Sequence, residues 1–590
     1  MERAVRRAGI DEITLATVWH TLQVCCWEMR YIIERTCQNY LIGQLHDVSV
    51  GIFDAEGNAV AMPVGLPVQY FGSFFAVQEI GKRYRGNLRP GDVILTNDPY
   101  GGGHCLHLPD WGFFRPVFAG GELVFWVLAR AHQQDTGGAY PGGYFPNPYD
   151  VHAEGMRIPP LKVIEGGEEK RELWELIWNN VRWPEGTRID NYAMIAATAH
   201  AERRIGRLVE KYGKEVVLGC VGEMMDRTER AMRDAIRRIP DGSYYGESAT
   251  DDDGTVLDEP VWVRCWVHVR GDELLIDFSE SDRQRRGFVN AIYATTYAAA
   301  MEGVILAVAP GELAEYHNQG SFRPVRVEAP RGSVVNAEYP APVGASPVNV
   351  GGQVTEAVLM ALSKALPERS VAGWGRHRGD YVFGVDPRTG ERYVRTSFDY
   401  DGTIGAVYGY DGWPCQTTLT ALGSVTRGTV EEQEIRIPWR HLVWEYATDL
   451  EGAGRWRGGP GMHWEAVNEG GDAMMATGSS DGDETYAPGC LGGESTPPSR
   501  TYIRRGSELI RVKAHRLVEL KAGDVLVKLS AGGAGVGNPG ERDPEKVAED
   551  VRNGLVSLER AKKVYKVVVD PETYQVNWEE TKKLRTELKV

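Results

Sequence analysis

The chain has 590 residues, of which 42% are hydrophobic and 25% are charged, and it contains 70 glycines. This length is too great for one hydrophobic core, so several domains are expected. The formal net charge of −16 argues against a nucleic-acid partner, because phosphate binding needs clustered Lys and Arg. No apolar run is long enough to cross a bilayer, and the start "MERAVRRAGIDEI" lacks the apolar core of a signal peptide. We therefore expect a cytoplasmic protein that acts without a membrane.

The first 240 residues combine helical patterns with two candidate β-hairpins. Apolar residues recur at helical spacing after Asp11, a residue type that caps helices, and this predicts a helix from Asp11 to about Tyr40. The run "HDVSVGIFDAEGNAVAM" alternates apolar and polar residues around a turn, which predicts a first hairpin. A strand and a glycine loop follow in "PGDVILTNDPYGGG", and Gly120-Gly121 marks the tip of a second hairpin. Helices are predicted near 170–180, 188–212 and 214–238.

From about residue 240 the pattern changes to strands, then to two helices near 288–307 and 350–366, and then to a glycine-punctuated β segment at 425–540. Two short helices and a strand are predicted after that segment. Together these elements predict a mixed α+β fold with several intertwined domains. We place an N-terminal domain at 1–240, which includes the candidate metal site described next and a helical extension. A central α/β domain is placed at 241–425, and a C-terminal glycine-rich β domain with terminal helices at 426–590.

Side chains that ligate metals gather around the second hairpin. A two-residue turn at Gly120-Gly121 places Asp110 opposite Ala131, one residue from His132, and cross-strand β-carbons lie about 5 Å apart. His107 precedes Asp110 by three residues and can fold back over it, while Asp47 opens the first hairpin. Two imidazoles with one or two carboxylates suit divalent Zn, Mn or Fe. This arrangement leaves a coordination position for water or substrate.

The sequence therefore predicts a metal site with four ligands, and three of these residues are also predicted to be catalytic. The ligands are Asp47, His107, Asp110 and His132, and the catalytic residues are His107, Asp110 and His132. Five other polar residues are weaker candidates for metal ligands. Each could instead orient a ligand through a hydrogen bond, or simply be solvated. They are His46, His104, Asp135, His152 and Glu154.

The sequence offers ATP no binding loop of the G-x-x-x-x-G-K-[ST] type, so if ATP is used, another chain should hold it. The run "GVGNPG" at 535–540 fits the G-x-G-x-x-G pattern of dinucleotide sites. That pattern requires a second strand with an acidic residue about 20 positions later. Here two helices intervene and Pro539 lies inside the turn, so a structural glycine turn is predicted instead.

Several motifs in this chain follow one another as they do in one known family. "HDVSVGIFDAEGNAVA", "GDVILTNDPYGGGHCLHLPD", "ARAHQQDTGG", "AEGMRIPPLKV" and "NNVRWPEG" come first, and "IDFSESDRQRRGFVNA", "GRWRGGPG" and "GGAGVGNPGERDPEKVAEDVRNGLVSLERA" follow. In this order the chain resembles the hydantoinase B/oxoprolinase family over nearly its whole length. Members include one subunit of N-methylhydantoinase, of caprolactamase, and of the acetone and acetophenone carboxylases. One departure is Leu106 in place of the family's usual Thr before the histidine, with an additional His104.

The resemblance implies one half of an ATP-dependent enzyme. Its partner would be a hydantoinase A-type subunit that binds ATP and phosphorylates a carbonyl oxygen, and a small third subunit would accompany a ketone carboxylase. The family's metal ligands fall on the same four residues, Asp47, His107, Asp110 and His132. "GLPVQYFGSF", "FPNPYDVHAEGMRIPP" and "IWNNVRWP" resemble the ketone carboxylases, which join bicarbonate to a phospho-activated ketone enol. The alternative is the B-type subunit of an ATP-dependent cyclic amide hydrolase, such as an N-methylhydantoinase, oxoprolinase or lactamase.

Two further hypotheses remain open from the residues alone. Two histidines and a carboxylate also form the facial triad of iron(II) oxygenases, although the H-x-x-D spacing here differs from the usual H-x-D. In the second hypothesis, the chain is a non-catalytic scaffold subunit whose metal-binding loop has lost its function. Metal analysis separates the scaffold from the enzyme, and oxygen uptake with substrate would be needed to support the oxygenase.

Overall fold

The computed structural model describes residues 10–63, 65–308, 311, 316–397, 402–414 and 418–586. Helices and several separate sheets make it a mixed α+β fold, as the sequence predicts. The described residues form two compact units, each assembled from discontinuous segments. The first unit draws on 1–243, 266–355 and 424–426, and the second on 244–265, 356–423 and 427–590. The division into three domains stays a prediction.

The first unit is organised around a seven-stranded sheet with the strand order β2-β1-β5-β4-β3-β6-β7. Its strands are β1 (Val48–Asp54), β2 (Ala59–Ala61), β3 (Val93–Thr96), β4 (Asp110–Ala119), β5 (Glu122–His132), β6 (Leu161–Glu165) and β7 (Glu168–Glu169). All of the pairings are antiparallel. The helices in this part of the chain are α1 (Glu12–Thr36), α2 (Tyr40–Gly43), α3 (Pro67–Tyr70), α4 (Ser73–Arg83), α5 (Val151–Glu154), α6 (Arg171–Trp178), α7 (Pro184–Tyr212) and α8 (Lys214–Ile236).

Helices α1 and α7 cover the sheet, α1 against β1 and α7 against β4 and β5. The Asp11 side chain accepts a hydrogen bond from the backbone N–H of Thr14, so it caps α1 as predicted. Buried residues Leu15, Val18 and Leu22 recur at helical spacing on α1, and they join one large core with the apolar residues of the sheet. Burying this apolar surface supplies the main driving force for holding helices and sheet together.

The hairpin of β4 and β5 has its turn at Gly120-Gly121, as predicted, but its register differs from the prediction. Ala119 pairs with Glu122 beside the turn, and an irregularity between Val117 and Phe118 then shifts the pairing by one residue. A bulge adds one unpaired residue to a strand, so every pair beyond it moves. Asp110 consequently lies opposite His132 and not opposite Ala131. The prediction for this pair was wrong by one position.

The middle of the chain, parts of which belong to each of the two units, contains a further four-stranded sheet and further helices. β10 pairs antiparallel with β9 and parallel with β11. A π-helix at Ser346–Val350 leads directly into the next long helix. The elements from this part of the chain are β8 (Gly242–Thr250), β9 (Val261–Arg270), β10 (Glu273–Asp277), α9 (Tyr293–Val308), α10 (Gln319–Phe322), β11 (Val325–Glu328) and α11 (Gly351–Ala365).

The second unit contains a four-stranded sheet, β13-β12-β16-β19, and a five-stranded sheet, β14-β15-β20-β17-β18. Its strands are β12 (Asp380–Val385), β13 (Arg392–Ser397), β14 (Trp439–Ala447), β15 (Gly461–Asn468), β16 (Ala473–Ala476), β17 (Arg500–Arg505), β18 (Glu508–Val512), β19 (Leu517–Leu520) and β20 (Val525–Ser530). Its helices are α12 (Val430–Arg436), α13 (Pro544–Arg552), α14 (Leu558–Lys563) and α15 (Trp578–Thr586), with 3-10 turns at Pro367–Arg369, Leu419–Ala421 and Pro539–Glu541.

The glycine run "GVGNPG" has a structural role in the second unit. Val536 bridges to both Trp456 and Cys490, and a β-carbon added to Gly535 would lie 2.1 Å from the Ala453 carbonyl oxygen. Glycine is required at this position because another backbone approaches too closely for any side chain. A second glycine-flanked run, "GSSDG" at 478–482, has the G-x-S-x-G pattern that surrounds some nucleophilic serines. Its central Ser480 is fully buried and donates a hydrogen bond to the Gly379 carbonyl, so it too has a structural role.

Within the part of the chain that the structure describes, no helix combines the length and the apolar character that crossing a bilayer would require.

Candidate metal centre

Three adjacent strands bring the predicted ligands to one edge of the seven-stranded sheet. β5 lies between β1 and β4, and its last residue, His132, pairs with Asp110 at the start of β4. On the other side Val48 pairs with Ala131, and the His132 N–H donates to the Asp47 carbonyl at 3.3 Å. Asp47 and Asp110 therefore flank His132 on its two neighbouring strands.

A tight loop before β4 adds His107 to the same edge. The Asp110 N–H donates to the His107 carbonyl at 3.3 Å. The Cys105 thiol donates to the carbonyls of His107 and Asp110, at 3.2 and 2.8 Å. Cys105 thus stabilises the turn through contacts of its thiol with two backbone carbonyls. The fold-back of His107 over Asp110 is a consequence of this loop geometry.

Atoms suitable for metal coordination converge on Asp110. Its Oδ1 lies 3.3 Å from His107 Nε2 and 3.4 Å from His132 Nδ1. One ligand atom from each of His107, Asp110 and His132 lies within 4.8 Å of the others, and all three residues are buried. Asp47 is beside this group, with its Oδ2 3.9 Å from His132 Nδ1, although it is not one of the three residues that meet the 4.8 Å criterion. We call these four residues the His–Asp cluster.

Gln69, on the one-turn helix α3, holds the two carboxylates of the His–Asp cluster. Its Nε2 donates to Asp47 Oδ1 at 2.6 Å and lies 3.4 Å from Asp110 Oδ1. Its Oε1 accepts from the Ser49 hydroxyl at 2.6 Å, which fixes the orientation of the amide. The sequence analysis did not identify Gln69, because only the tertiary position of α3 over the start of β1 brings it to the site.

The electrostatics of the His–Asp cluster favour an ionised Asp110 and a protonated His132. Burial alone would raise the pKa of Asp110, but His107 and His132 outweigh it and hold the pKa well below its usual range. Burial likewise opposes protonation of His132, yet Asp110 and Asp47 raise its pKa above the usual value. Burial raises the pKa of Asp47 to about 6, against the opposing pull of His132. The proton on His132 thus offsets negative charge that a bound cation would offset in its place.

The residues present fit a divalent cation. Asp110 Oδ2 is buried and has no hydrogen-bond partner among the described residues, an arrangement that is costly unless something else satisfies the oxygen. No Lys or Arg of the described chain forms an ion pair with Asp47 or Asp110. Two imidazoles with carboxylates are the donor set that Zn, Mn and Fe prefer.

Two further groups, one aromatic and one from the backbone, complete the surroundings. The ring of Tyr144 lies edge-on to His107 and parallel to His132, at centroid distances of 5.2 and 6.0 Å. His107 Nδ1 donates to the Gly344 carbonyl at 2.9 Å. Since a carbonyl only accepts, this bond places the proton on Nδ1 and directs Nε2 toward Asp110. Sequence reasoning missed both contacts, because neither has a local pattern.

The five weaker candidates lie outside the group of three ligand atoms within 4.8 Å. His46 lies 3.6 Å from Glu34, Asp135 is paired with Arg182, and the ring of His104 contacts Phe75. His152 is exposed and contacts the Tyr339 hydroxyl. Glu154 is buried and binds backbone N–H groups. His107 and not His104 is therefore the histidine that the loop brings to Asp110.

Comparison with known proteins assigns the chain to a family. The hydantoinase B/oxoprolinase family model matches residues 11–539, so this chain belongs to the hydantoinase B/oxoprolinase family. The beta subunit of caprolactamase from Pseudomonas jessenii is 32% identical over 95% of this chain and 97% of its own length. A protein of Pseudomonas sp. (strain NS671), provisionally named as the B-type subunit of a D-/L-hydantoinase, is 29% identical over 98% of both chains.

Solved structures agree with this assignment. The crystal structure of the ATP-dependent caprolactamase from Pseudomonas jessenii superposes with a TM-score of 0.90 at 30% identity, over 98% of this chain and all of that one. Nucleotide-free acetone carboxylase also reaches a TM-score of 0.90, over 99% of this chain and 84% of that one, but at 19% identity. At that identity the likeness shows the fold alone. The chain is an enzyme subunit of this family.

Proposed function

We propose that the protein is the metal-binding B-type subunit of an ATP-dependent cyclic amide hydrolase, acting on a lactam, a hydantoin or 5-oxoproline. The observation that carries this proposal is the full-length similarity to the beta subunit of caprolactamase, at 32% identity over 95% of this chain. The ketone carboxylase function, which the local motifs favour in sequence, has support here only at the level of the fold. The amide hydrolase is therefore the better supported of the two.

The proposed metal ligands are His107, Asp110 and His132, with Asp47 as the fourth. A divalent ion held there would supply Lewis acidity for water attack on an activated amide. The chain's own residues prepare the site. Gln69 orients both carboxylates, and the Gly344 carbonyl keeps the proton of His107 on Nδ1. Burial of the cluster excludes bulk water, which strengthens each electrostatic interaction within it.

ATP is proposed to bind on a second, A-type subunit that phosphorylates the carbonyl oxygen of the substrate. The relatives named as beta or B-type subunits support a partner, and the sequence contains no G-x-x-x-x-G-K-[ST] loop. A small third subunit would belong to the carboxylase alternative. Its absence from the purified complex is expected.

The experiment co-expresses this chain with a hydantoinase A-type subunit and purifies the complex. We expect ADP release that depends on a lactam, hydantoin or 5-oxoproline and on a divalent ion, with the ring-opened amino acid as product. Acetone and acetophenone with bicarbonate are the comparison substrates. ADP release coupled to carboxylation of a ketone, with no hydrolysis of any cyclic amide, would overturn the proposal. Turnover by the single chain in excess EDTA would contradict the metal assignment.

A further inference from the structure

Glu154 is a buried carboxyl group in the first unit that the proposed reaction does not use directly. It ends the short helix α5 and is 1% exposed. Among the described residues no Lys or Arg forms an ion pair with it, and burial raises its pKa to about 8. A buried carboxyl group without a cation is unfavourable for folding unless its hydrogen bonds compensate. The contacts that it does make are therefore informative.

The Glu154 carboxyl group binds two consecutive backbone N–H groups. Oε2 accepts from Val343 at 2.9 Å, and Oε1 accepts from Gly344 at 2.6 Å. Two bonds from one rigid carboxyl group to adjacent peptides fix both the position and the orientation of this backbone. A β-carbon added to Gly344 would lie 2.8 Å from Glu154 Oε1 and 2.7 Å from the Gly143 carbonyl oxygen, so the backbone fits closely on both sides.

The same backbone segment continues to the His–Asp cluster. The Gly344 carbonyl accepts from His107 Nδ1 at 2.9 Å, and His107 Nε2 then lies 3.3 Å from Asp110 Oδ1. A histidine ligand must present an unprotonated nitrogen to its metal, and the hydrogen bond of the other nitrogen selects that tautomer. Glu154, the Gly344 peptide and His107 thus form one continuous chain of contacts.

We propose that Glu154 is a positioning residue for the metal site, which holds the 343–344 backbone so that the Gly344 carbonyl keeps the His107 proton on Nδ1. The proposal rests on the proposed function only in treating His107 as a ligand. Glu154 touches neither His107 nor the other three residues of the cluster in any hydrogen bond of the described chain. Its effect is transmitted through a single peptide group.

The test compares Glu154→Gln with a matched control, Asp92→Asn. In Glu154→Gln one oxygen becomes an NH₂ group that faces a backbone N–H, so the two-point contact is lost while the size is kept. Asp92 is also a buried carboxylate that accepts two backbone N–H groups, from Arg89 and Gly166, but neither of these residues bonds to the His–Asp cluster within the described chain. Asp92 differs from Glu154 in that it also pairs with Lys162 Nζ at 3.0 Å, so its amide variant tests a more disruptive change at a buried carboxyl group. Both variants replace one buried carboxyl group by its amide.

The first readout is binding of Zn²⁺ alone to the purified chain, measured by competition with a chromophoric chelator. We expect Glu154→Gln to weaken binding by about 10- to 100-fold, as other changes behind a histidine ligand do. Asp92→Asn should leave the affinity unchanged. Equal affinity of Glu154→Gln and the parent protein would overturn the proposal, and so would an equal loss in both variants, which would indicate a general effect on folding.

The second readout is the tautomer of His107 in the metal-free protein, from ¹⁵N NMR of histidine-labelled chain. The His107 signals are identified by their loss in His107→Asn. The parent and Asp92→Asn should show a protonated Nδ1, and Glu154→Gln should show a reduced share of protonated Nδ1. An unchanged tautomer in Glu154→Gln would overturn the proposal. This readout needs neither metal nor ATP. Its result therefore tests the role of Glu154 even if the protein proves not to be a cyclic amide hydrolase.

Discussion

Two buried charged regions of the protein have opposite compositions. The His–Asp cluster of the first unit contains two carboxylates and two imidazoles, and no Lys or Arg of the described chain pairs with its carboxylates. The second unit buries a network in which each carboxylate has its own donors. Its members are Asp251, Asp252, Asp483, Arg378, His515 and Arg516, which we call the loop network.

The contacts in the loop network explain its structural character. Asp251 accepts the backbone N–H groups of Asp483, Glu484 and Thr485. Asp483 accepts from Arg378 Nη1 at 2.9 Å and from the Ala514 N–H at 2.8 Å. Asp483 Oδ1, like Asp110 Oδ2, makes no hydrogen bond among the described residues, but the Arg378 guanidinium lies beside Asp483 and Arg516 lies beside Asp252. The carboxylates of the His–Asp cluster have no Lys or Arg beside them within the described chain. Both regions bury their carboxylates. The loop network differs from the His–Asp cluster because arginine side chains of the same chain compensate the charge of its carboxylates.

The largest effect is expected from Asp110→Asn. The amide keeps the shape of the side chain but removes the charge that both imidazoles face, so Zn²⁺ affinity should fall by more than about 100-fold, beyond the range for residues behind a ligand. Metal content after dialysis, measured by atomic emission, checks this. Asp483→Asn, in the loop network, is the control and should retain the ion. Full metal occupancy in Asp110→Asn would show that the comparison of the two regions is mistaken.

The second prediction concerns the loop network. Arg378 is 1% exposed and its guanidinium binds Asp483 and the Thr501 hydroxyl. Arg378→Met leaves a buried carboxylate without its main cation, which should lower the free energy of unfolding by about 3–5 kcal/mol. Urea unfolding followed by tryptophan fluorescence measures this change.

Arg511→Met is the matched control for that variant. Arg511 is 39% exposed and lies 3.7 Å from Asp483, so its removal should change the free energy of unfolding by less than about 1 kcal/mol. Zn²⁺ affinity should be unchanged in both variants. A loss of metal binding in Arg378→Met without a loss of stability would contradict a purely structural role for the loop network.

The site was largely predictable from sequence where its residues are local. His107, Asp110 and His132 all belong to one loop and one hairpin, and the Gly120-Gly121 turn was sufficient to bring them together. The pairing was wrong by one residue, because the shift between Val117 and Phe118 has no signature in the surrounding sequence. The predicted register nevertheless placed Asp110 next to His132. A register error of one residue still brings the correct pair of side chains close together.

The parts that sequence did not predict depend on contacts between distant segments. Gln69 meets Asp47 and Asp110 only because α3 packs over β1 and β4. Glu154 was a named candidate without a role, since its partners Val343 and Gly344 follow it by 189 and 190 residues. The α+β class and the long helices were predictable because they follow from hydrophobic periodicity. The strand order of the seven-stranded sheet was not, because it depends on the pairing of β1 with β5.

The last prediction concerns a pH dependence of stability in the second unit, whose effect is small over any single pH unit. Lys528 is fully buried against Asp380 and the Arg378 carbonyl, and burial lowers its pKa to about 7. Between about pH 7 and the usual lysine pKa of 10.5, an unfolded chain holds a proton that the folded chain has released. The free energy of unfolding should therefore rise with pH across this window, with a contribution no steeper than about 1.4 kcal/mol per pH unit. Below pH 7 both states hold the proton and the contribution is constant.

Lys528→Met removes this dependence, and exposed Lys546→Met is the control for the loss of one positive charge. Urea unfolding at intervals from pH 6 to 10 should give parallel curves for the parent protein and Lys546→Met, and a flatter curve for Lys528→Met. If all three curves are parallel, Lys528 keeps its proton in the folded state. The ionised Lys528–Asp380 pair would then be a second case, besides the loop network, in which the second unit compensates a buried carboxylate with a cation of its own chain.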